Sequence, residues 1–221
     1  MCGIVGYTGK QSVAKQILDA LELLEYRGYD SAGMAIVDET NGQVQIRKRA
    51  GRVADLEKVW KANPVNGICG IGHTRWATHG GVSDVNAHPH RAGRVTLVHN
   101  GIIENYEELK DHFGLADELI SDTDSEVVAA VLNRFYTGDP HEALFQTVKC
   151  LKGTFALVVI FDDIPDVIFA IRNVSPIVAA YREDGTMLAS DVAALGGQAT
   201  SYMVVPEYHV VELHTDDIRV Y

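Results

Sequence analysis

Cys2 stands directly behind the initiator methionine. Its small side chain would let Met1 be removed during synthesis, leaving a thiol and a free α-amine on one residue. An α-amine has an ordinary pKa of about 7.7–8.0, so near neutral pH a useful fraction is unprotonated. It can take the thiol proton directly or through a water, which makes one residue both nucleophile and base. Gly3 next door leaves room for a substrate. Taken alone, a cysteine at position two is ordinarily uninformative. The reading needs companions: donors for an oxyanion, and charges to hold an amino acid.

Three segments offer them. Asn100-Gly101 follows the apolar run Val95–Val98. The Asn100 side-chain amide and the Gly101 backbone N–H could stabilise the tetrahedral oxyanion of amide hydrolysis, where one lost donor costs roughly 2.7–4 kcal/mol. Read singly, an Asn-Gly after a strand is more often a turn. Arg75 lies in His73-Thr74-Arg75-Trp76-Ala77-Thr78-His79-Gly80. Its guanidinium fork suits an α-carboxylate, with Thr78 and His79 placed to add hydrogen bonds. The plainer account is a surface arginine beside a core tryptophan. Asp124 falls in the first turn of a capped helix, where the helix dipole favours a carboxylate that could hold an ammonium group. Helix stability alone would also explain it.

His73, His79, His88 and His90 invite a metal reading, but they are not surrounded by a ligand spacing known for zinc. The expectation is no metal and no cofactor.

The elements that must position these residues are legible in part. Gly3–Tyr7 reads as a short buried strand, and Ser12–Glu25 as an amphipathic helix with Ser12 as N-cap. Met34–Val37 and Val44–Ile46 read as strands joined through Glu39-Thr40-Asn41-Gly42. Asp55–Lys61 is a short helix ended by Asn63-Pro64. Val95–Val98 is a strand, and a helix follows Asn105 with Glu108 at the reciprocal capping position. Thr123-Asp124-Ser125-Glu126 is a capping box opening a further helix. Asp139-Pro140-His141-Glu142 opens another, ended by Gly153. Phe155–Phe161, Val167–Ile171, Ile177–Tyr181, Thr186–Ala189 and Tyr208–Leu213 are strand candidates. Several are apolar on both faces, so their sheets must be covered on both sides. Sheets layered between two clusters of helices would satisfy that.

Composition narrows the partners. The 221 residues carry 19 Lys plus Arg against 30 Asp plus Glu, a formal net charge of -11. Such a surface repels phosphate backbones, which excludes nucleic acid. Cys2, Cys69 and Cys150 are odd in number and widely spaced, which fits a reducing cytoplasm rather than a disulfide framework. The start has no basic region of a secretory signal. The longest apolar run, Phe155–Phe161, is too short to span a bilayer.

Together the segments resemble a known family. Met1-Cys2-Gly3-Ile4-Val5-Gly6, Glu25-Tyr26-Arg27-Gly28-Tyr29-Asp30-Ser31-Ala32-Gly33, His73–Gly80, Asn86-Ala87-His88-Pro89-His90, Val98-His99-Asn100-Gly101-Ile102-Ile103-Glu104-Asn105 and Ser121–Glu126 occur in this order. They are similar to the glutaminase (class II glutamine amidotransferase) domains of glutamine–fructose-6-phosphate aminotransferases. The likeness runs from residue 1 to about Asp191. It implies an α+β fold, the four-layer αββα sandwich of N-terminal nucleophile hydrolases, with two antiparallel sheets between helix layers. It implies that residues 1–221 form one glutaminase domain, monomeric by itself, with sugar-isomerase domains outside this chain.

The resemblance also implies roles. Cys2 attacks the glutamine side-chain amide, and Asn100 and Gly101 form the oxyanion hole. Arg75, Thr78 and His79 hold the α-carboxylate end, and Asp124 holds the α-amino group. Trp76 lids the site and gates ammonia, and Arg27 sits near the nucleophile. His88 matches the family pattern without a role. Two positions depart from that pattern: Val82, where proline is common, and Val174, where glycine is usual. An amidophosphoribosyltransferase, asparagine synthetase or glutamate synthase domain is the alternative among enzymes, and a non-catalytic glutamine sensor is the alternative outside them. Arg27-Gly28-Tyr29-Asp30 and Thr74-Arg75-Trp76-Ala77-Thr78 favour the aminosugar family over the other enzymes. Glutamate release would separate catalysis from sensing.

Overall fold

Burial on both faces of the central strands decides the architecture, because each has a helix layer on one side and a second sheet on the other. The computed structural model describes residues 2–77 and 80–221; Met1, Thr78 and His79 lie outside them. The first half contains β1 (Gly3–Gly9), α1 (Val13–Glu22), β2 (Ser31–Val37), β3 (Val44–Ala50), α2 (Val53–Ala62) and β4 (Cys69–Arg75). The middle contains β5 (His90–Ala92), β6 (Val95–Ile103), α3 (Tyr106–Phe113), α4 (Asp124–Phe135) and α5 (Pro140–Cys150). The remainder is β7 (Gly153–Phe161), β8 (Ile164–Asn173), β9 (Val178–Arg182), β10 (Gly185–Ala189), β11 (Ala199–Val204), β12 (Val211–His214) and β13 (Asp217–Val220).

These strands form two antiparallel sheets. One runs β11-β9-β10-β1-β4-β2-β3 and the other β13-β12-β8-β7-β6-β5. Ile4, Ile71, Ala35, Val98, Val158, Ile168 and Leu188 meet between the sheets. α1 and α2 cover the outer face of the first sheet through Val13, Ile17, Leu21, Val53 and Leu56. α3, α4 and α5 cover the second through Leu109, Val128, Val131, Leu132 and Leu144. The fold is the expected αββα sandwich.

Several local expectations are revised. β4 lies at the heart of the first sheet, between β1 and β2, yet it shows little apolar alternation. Its outward positions include Gly70 and Gly72, where a Cβ would meet Val13, Ile17 and Leu21 side chains of α1 at 2.4–3.2 Å. The helix lies directly on this glycine face, so the usual signal is missing. Asn100-Gly101 is not a turn: β6 runs through both residues, pairing them with Ala156 and Phe155. Gly153 does not end α5, which stops at Cys150; it opens β7 instead. The last expected strand starts at Val211 rather than Tyr208.

Capping is also redistributed. Ser12 occupies the N-cap of α1 without a capping hydrogen bond. Asn105 does not cap α3, because its amide bridges Cys150 O and Lys152 N–H at the entry to β7. Glu108 accordingly pairs with Lys152. Thr123 does cap α4, accepting from the Glu126 N–H, but the Glu126 carboxylate gathers Ile120 N–H, Ser121 N–H and the Ser121 hydroxyl instead of closing the box.

Val174 is β-branched and sits at φ 66°, in the left-handed region. Glu207 holds it there, accepting from Val174 N–H at 3.1 Å and from Arg172 at 3.2 Å. An L side chain in this conformation costs roughly 1–2 kcal/mol, of which the extra freedom of an unfolded glycine returns about half. Val174 is 61 % exposed, so little packing is at stake. Val174→Gly is therefore expected to raise the unfolding free energy by about 0.5–1 kcal/mol, as read from urea midpoints at unchanged slope.

Candidate active site

The nucleophile candidate enters from the first sheet and the oxyanion candidate from the second. Cys2 precedes β1, whose first residue pairs with Thr74 of β4. β4 therefore runs past Cys2 and delivers His73 and Arg75 on the face that looks toward the other sheet. Cys2 Sγ accepts a hydrogen bond from the Trp76 backbone N–H at 3.2 Å and also lies 3.6 Å from Trp76 O. Burial pushes the Cys2 thiol above its ordinary pKa, opposed by the Trp76 N–H and the Arg75 guanidinium. At rest it is a neutral thiol, so its activation requires a base within reach.

The segment after β4 is clamped by the turn around Gly28. Asp30 N–H donates to Arg75 O at 3.0 Å, and the Asp30 carboxylate accepts from Ala77 N–H at 2.5 Å. Gly28 lies so close that a Cβ would sit 2.8 Å from the Arg75 backbone carbon and 2.9 Å from Trp76 N. This explains why Arg27-Gly28-Tyr29-Asp30 and Arg75-Trp76-Ala77 act as one structural unit. Arg27 is buried and pairs with Asp191 at 2.7 Å. Neighbouring Ser190 accepts from Ile4 N–H at 3.0 Å, so this ion pair buttresses the β1 end that carries Cys2. The Trp76 indole is 48 % exposed and meets Tyr29 edge-on at 6.0 Å.

From the second sheet, β6 presents Asn100 to the gap between the sheets. Its Nδ2 donates to Cys2 O at 3.1 Å and its Oδ1 lies 3.0 Å from His73 Nε2. Gly101 follows at φ 134°, where a Cβ would fall 2.0 Å from Thr154 O. No other residue fits this position without moving β7. Asp124 begins α4; its Oδ2 accepts from the Ile103 N–H at 2.9 Å, tying the helix N-terminus to β6.

Two adjoining cavities share Cys2, Trp76 and Gly101. The larger, of about 420 Å³, is lined also by Arg27, Asn100, Ser175 and Pro176. The smaller, of about 20 Å³, is lined also by Arg75, His99, Thr123 and Asp124. Cys2, Arg27, Arg75, Trp76, Asn100, Gly101 and Asp124 thus line two cavities that share Cys2. Arg27 lines the larger cavity, whereas Arg75 and Asp124 line the smaller. Arg75 donates to Gly80 O and Gly81 O, holding the loop that precedes the exposed Val82. Thr78 and His79 fall outside the described residues.

Sequence reasoning gave no role to the supports: Asp30, Ser190, Asp191 and Asn86, whose amide bonds Gly81 O and Asp122. It also left four histidines without an account. His73 and His88 stack with ring centres 4.0 Å apart, His90 meets His88 edge-on at 4.8 Å, and His88 Nδ1 accepts from His99 N–H at 3.2 Å. His90 Nε2 reaches Thr123 Oγ1 at 3.0 Å and His99 Nδ1 reaches Ser125 Oγ at 2.9 Å. Among the described residues no group of three or more histidines, cysteines or acids is arranged to hold a metal ion.

A family model for the glutamine amidotransferase domain matches residues 36–217. The chain belongs to the glutamine amidotransferase family. This amidotransferase domain is 46 % identical over 226 residues to the glutamine–fructose-6-phosphate aminotransferase (isomerizing) of Streptomyces coelicolor, covering all of this chain and 36 % of that relative. It is 44 % identical over 221 residues to the Bacillus subtilis enzyme of the same name, covering 98 % of this chain and 36 % of the relative. The chain therefore spans about a third of the length of the curated relatives it matches. A solved glutamine phosphoribosylpyrophosphate amidotransferase from B. subtilis shares the fold over the whole chain, with a TM-score of 0.83, 21 % identity and 49 % of that structure covered. No described helix of the amidotransferase domain is long and apolar enough to cross a membrane.

The histidine stack sets a pH dependence. Burial pushes His73 down to about 3 and holds His88 and His90 well below the ordinary imidazole value, with the nearby Arg75 guanidinium adding to the effect. The unfolded chain binds protons at these sites near pH 6.5 while the folded chain does not, so stability must fall as pH drops below 6.5. Each such histidine contributes roughly 1.4 kcal/mol per pH unit in that window. Urea unfolding between pH 7.5 and 5 should show the loss, above the range where carboxylates titrate; a flat profile would mean that the imidazoles are protonated within the fold.

Proposed function

We propose that this chain hydrolyses the side-chain amide of L-glutamine to glutamate and ammonia, with Cys2 as nucleophile and its own α-amine as base. The observation that carries the proposal is the convergence on Cys2 of an amide donor, Asn100, a guanidinium, Arg75, and a carboxylate, Asp124, around two cavities that share the thiol. Arg75 and Asp124 are set to take the α-carboxylate and α-ammonium of the substrate, with Thr78 and His79 beside Arg75. Asn100 and Gly101 supply the oxyanion donors. The attack forms a thioester at Cys2 and releases ammonia, taking the thiol proton through the amine; water then releases glutamate.

The names of the relatives extend the reading. In a longer polypeptide, the ammonia would serve the synthesis of glucosamine 6-phosphate from fructose 6-phosphate on isomerase domains, with Trp76 gating its passage. The three free cysteines suit the cytoplasm. The isolated domain is proposed to be a monomer that needs no cofactor.

Cys2→Ala should abolish glutamate release while glutamine still binds, as read by calorimetry; turnover in that variant would remove the nucleophile. Binding without turnover in the unaltered, Met1-processed chain would instead identify a sensor. Protein shown by intact mass to retain Met1 should be inactive, because its peptide bond consumes the amine; activity in that material would refute the base. Asp124→Ala should raise KM for glutamine by roughly tenfold or more through loss of a buried charge-assisted bond, and unchanged kinetics would discard its role.

A further inference from the structure

We propose that His73 is a positioning residue for glutamine hydrolysis: its Nε2–H holds the Asn100 side-chain amide across the gap between the sheets, with the amide nitrogen turned toward the reacting carbonyl. The proposal rests on the reading of Cys2 as nucleophile and Asn100 as oxyanion donor given above.

The protonation pattern follows from fixed groups. His73 Nε2 lies 3.1 Å from His99 O. A backbone carbonyl can only accept, so Nε2 must carry the proton. The Asn100 atom 3.0 Å from the same nitrogen must then be the carbonyl oxygen, Oδ1. That leaves Nδ2 as the atom 3.1 Å from Cys2 O, which again can only accept. Two backbone carbonyls, one at each end, thus dictate which way the amide faces. An amide nitrogen carries two hydrogens. One is spent on Cys2 O, and the other is the donor an oxyanion needs.

The reverse orientation would place Oδ1, a partial negative charge, against both Cys2 O and the oxyanion. His73 excludes it, because in that orientation the Nε2–H would face an NH₂ group. His73 is itself locked. It is 1 % exposed, stacked on His88 with an interplanar angle of 10°, and its Nδ1 has no hydrogen-bond partner among the described residues. Burial keeps the ring neutral, so neither the tautomer nor the donor changes over the working pH range.

The experiment uses Met1-processed protein and steady-state glutamate release. His73→Phe keeps the ring shape and removes the donor. His73→Gln restores an N–H near the position of Nε2. His73→Phe should lower kcat by roughly tenfold to hundredfold with KM within about twofold, and His73→Gln should recover most of the loss. On an Asn100→Ala background the Phe substitution should cost less than about twofold, because the amide it orients is gone. An unchanged kcat, a loss confined to KM, equal losses in Phe and Gln variants, or an undiminished loss on the Asn100→Ala background would each overturn the proposal. Should His73→Phe fail to fold, the Gln variant and side-chain nitrogen NMR of the unaltered protein carry the test: His73 protonated at Nδ1 overturns it, and protonation at Nε2 with a bare Nδ1 supports it. Turnover by Cys2→Ala would sink the underlying reading instead, which none of the His73 outcomes can mimic.

Discussion

One bridge between the two sheets governs the rest of the site. The candidate nucleophile belongs to the edge of β1 and the candidate oxyanion donor to β6, and these strands lie in different sheets. Their relative position is set by the Asn100 amide, gripped by Cys2 O on one side and by His73 on the other. Each such bond contributes only about 0.5–1.5 kcal/mol net, but an unmatched buried partner costs about 1–3 kcal/mol. The bridge therefore acts less as glue than as a register pin. The apolar layer of Ile4, Ile71, Val98 and Leu188 supplies the cohesion, and the polar bridge at its end decides the alignment.

That alignment depends on close backbone approach. The turn at Gly28 lies against the backbone of Arg75 and Trp76 with no room for a side chain. Asp30 then closes the same contact with two hydrogen bonds, one from its N–H and one to its carboxylate. The Trp76 N–H that meets the Cys2 sulfur is thus held by the Asp30 turn rather than by its own exposed indole. The Arg27–Asp191 ion pair supports the opposite flank through Ser190. Cys2 is thus braced from two directions, by the Asp30 turn and by the Arg27–Asp191 pair.

Much of this was legible in the sequence, and the gaps have physical causes. The helices declared themselves through caps and apolar stripes, and the strands of the second sheet through long apolar runs such as Phe155–Phe161. β4 did not, because its helix-facing side carries Gly70, Gly72 and Thr74, and its inner side mixes Cys69 and Ile71 with His73 and Arg75. A strand that carries function on one face and glycine on the other has no hydrophobic period to read. Asn105 and Glu108 were a plausible capping pair on local grounds, but Asn105 is taken by Cys150 and Lys152, some 45 residues away in sequence. Cys2, Arg75, Asn100 and Asp124 each had a plainer account when read singly, and they stood out only through the joint occurrence of ordered motifs. Asp30, Ser190 and the histidine stack were not, since each works through a partner that only the fold brings near.

The stack also has an electrostatic consequence. The small cavity beside Cys2 offers a guanidinium from Arg75 and a carboxylate from Asp124, the complement of an amino-acid zwitterion. An imidazolium at His88, which lines the same cavity, would spoil that pattern. It would add a second positive charge beside Arg75. Burying His73 and His88 against one another denies both rings the proton. The same burial that costs stability at low pH leaves a neutral imidazole beside the Arg75 guanidinium and the Asp124 carboxylate.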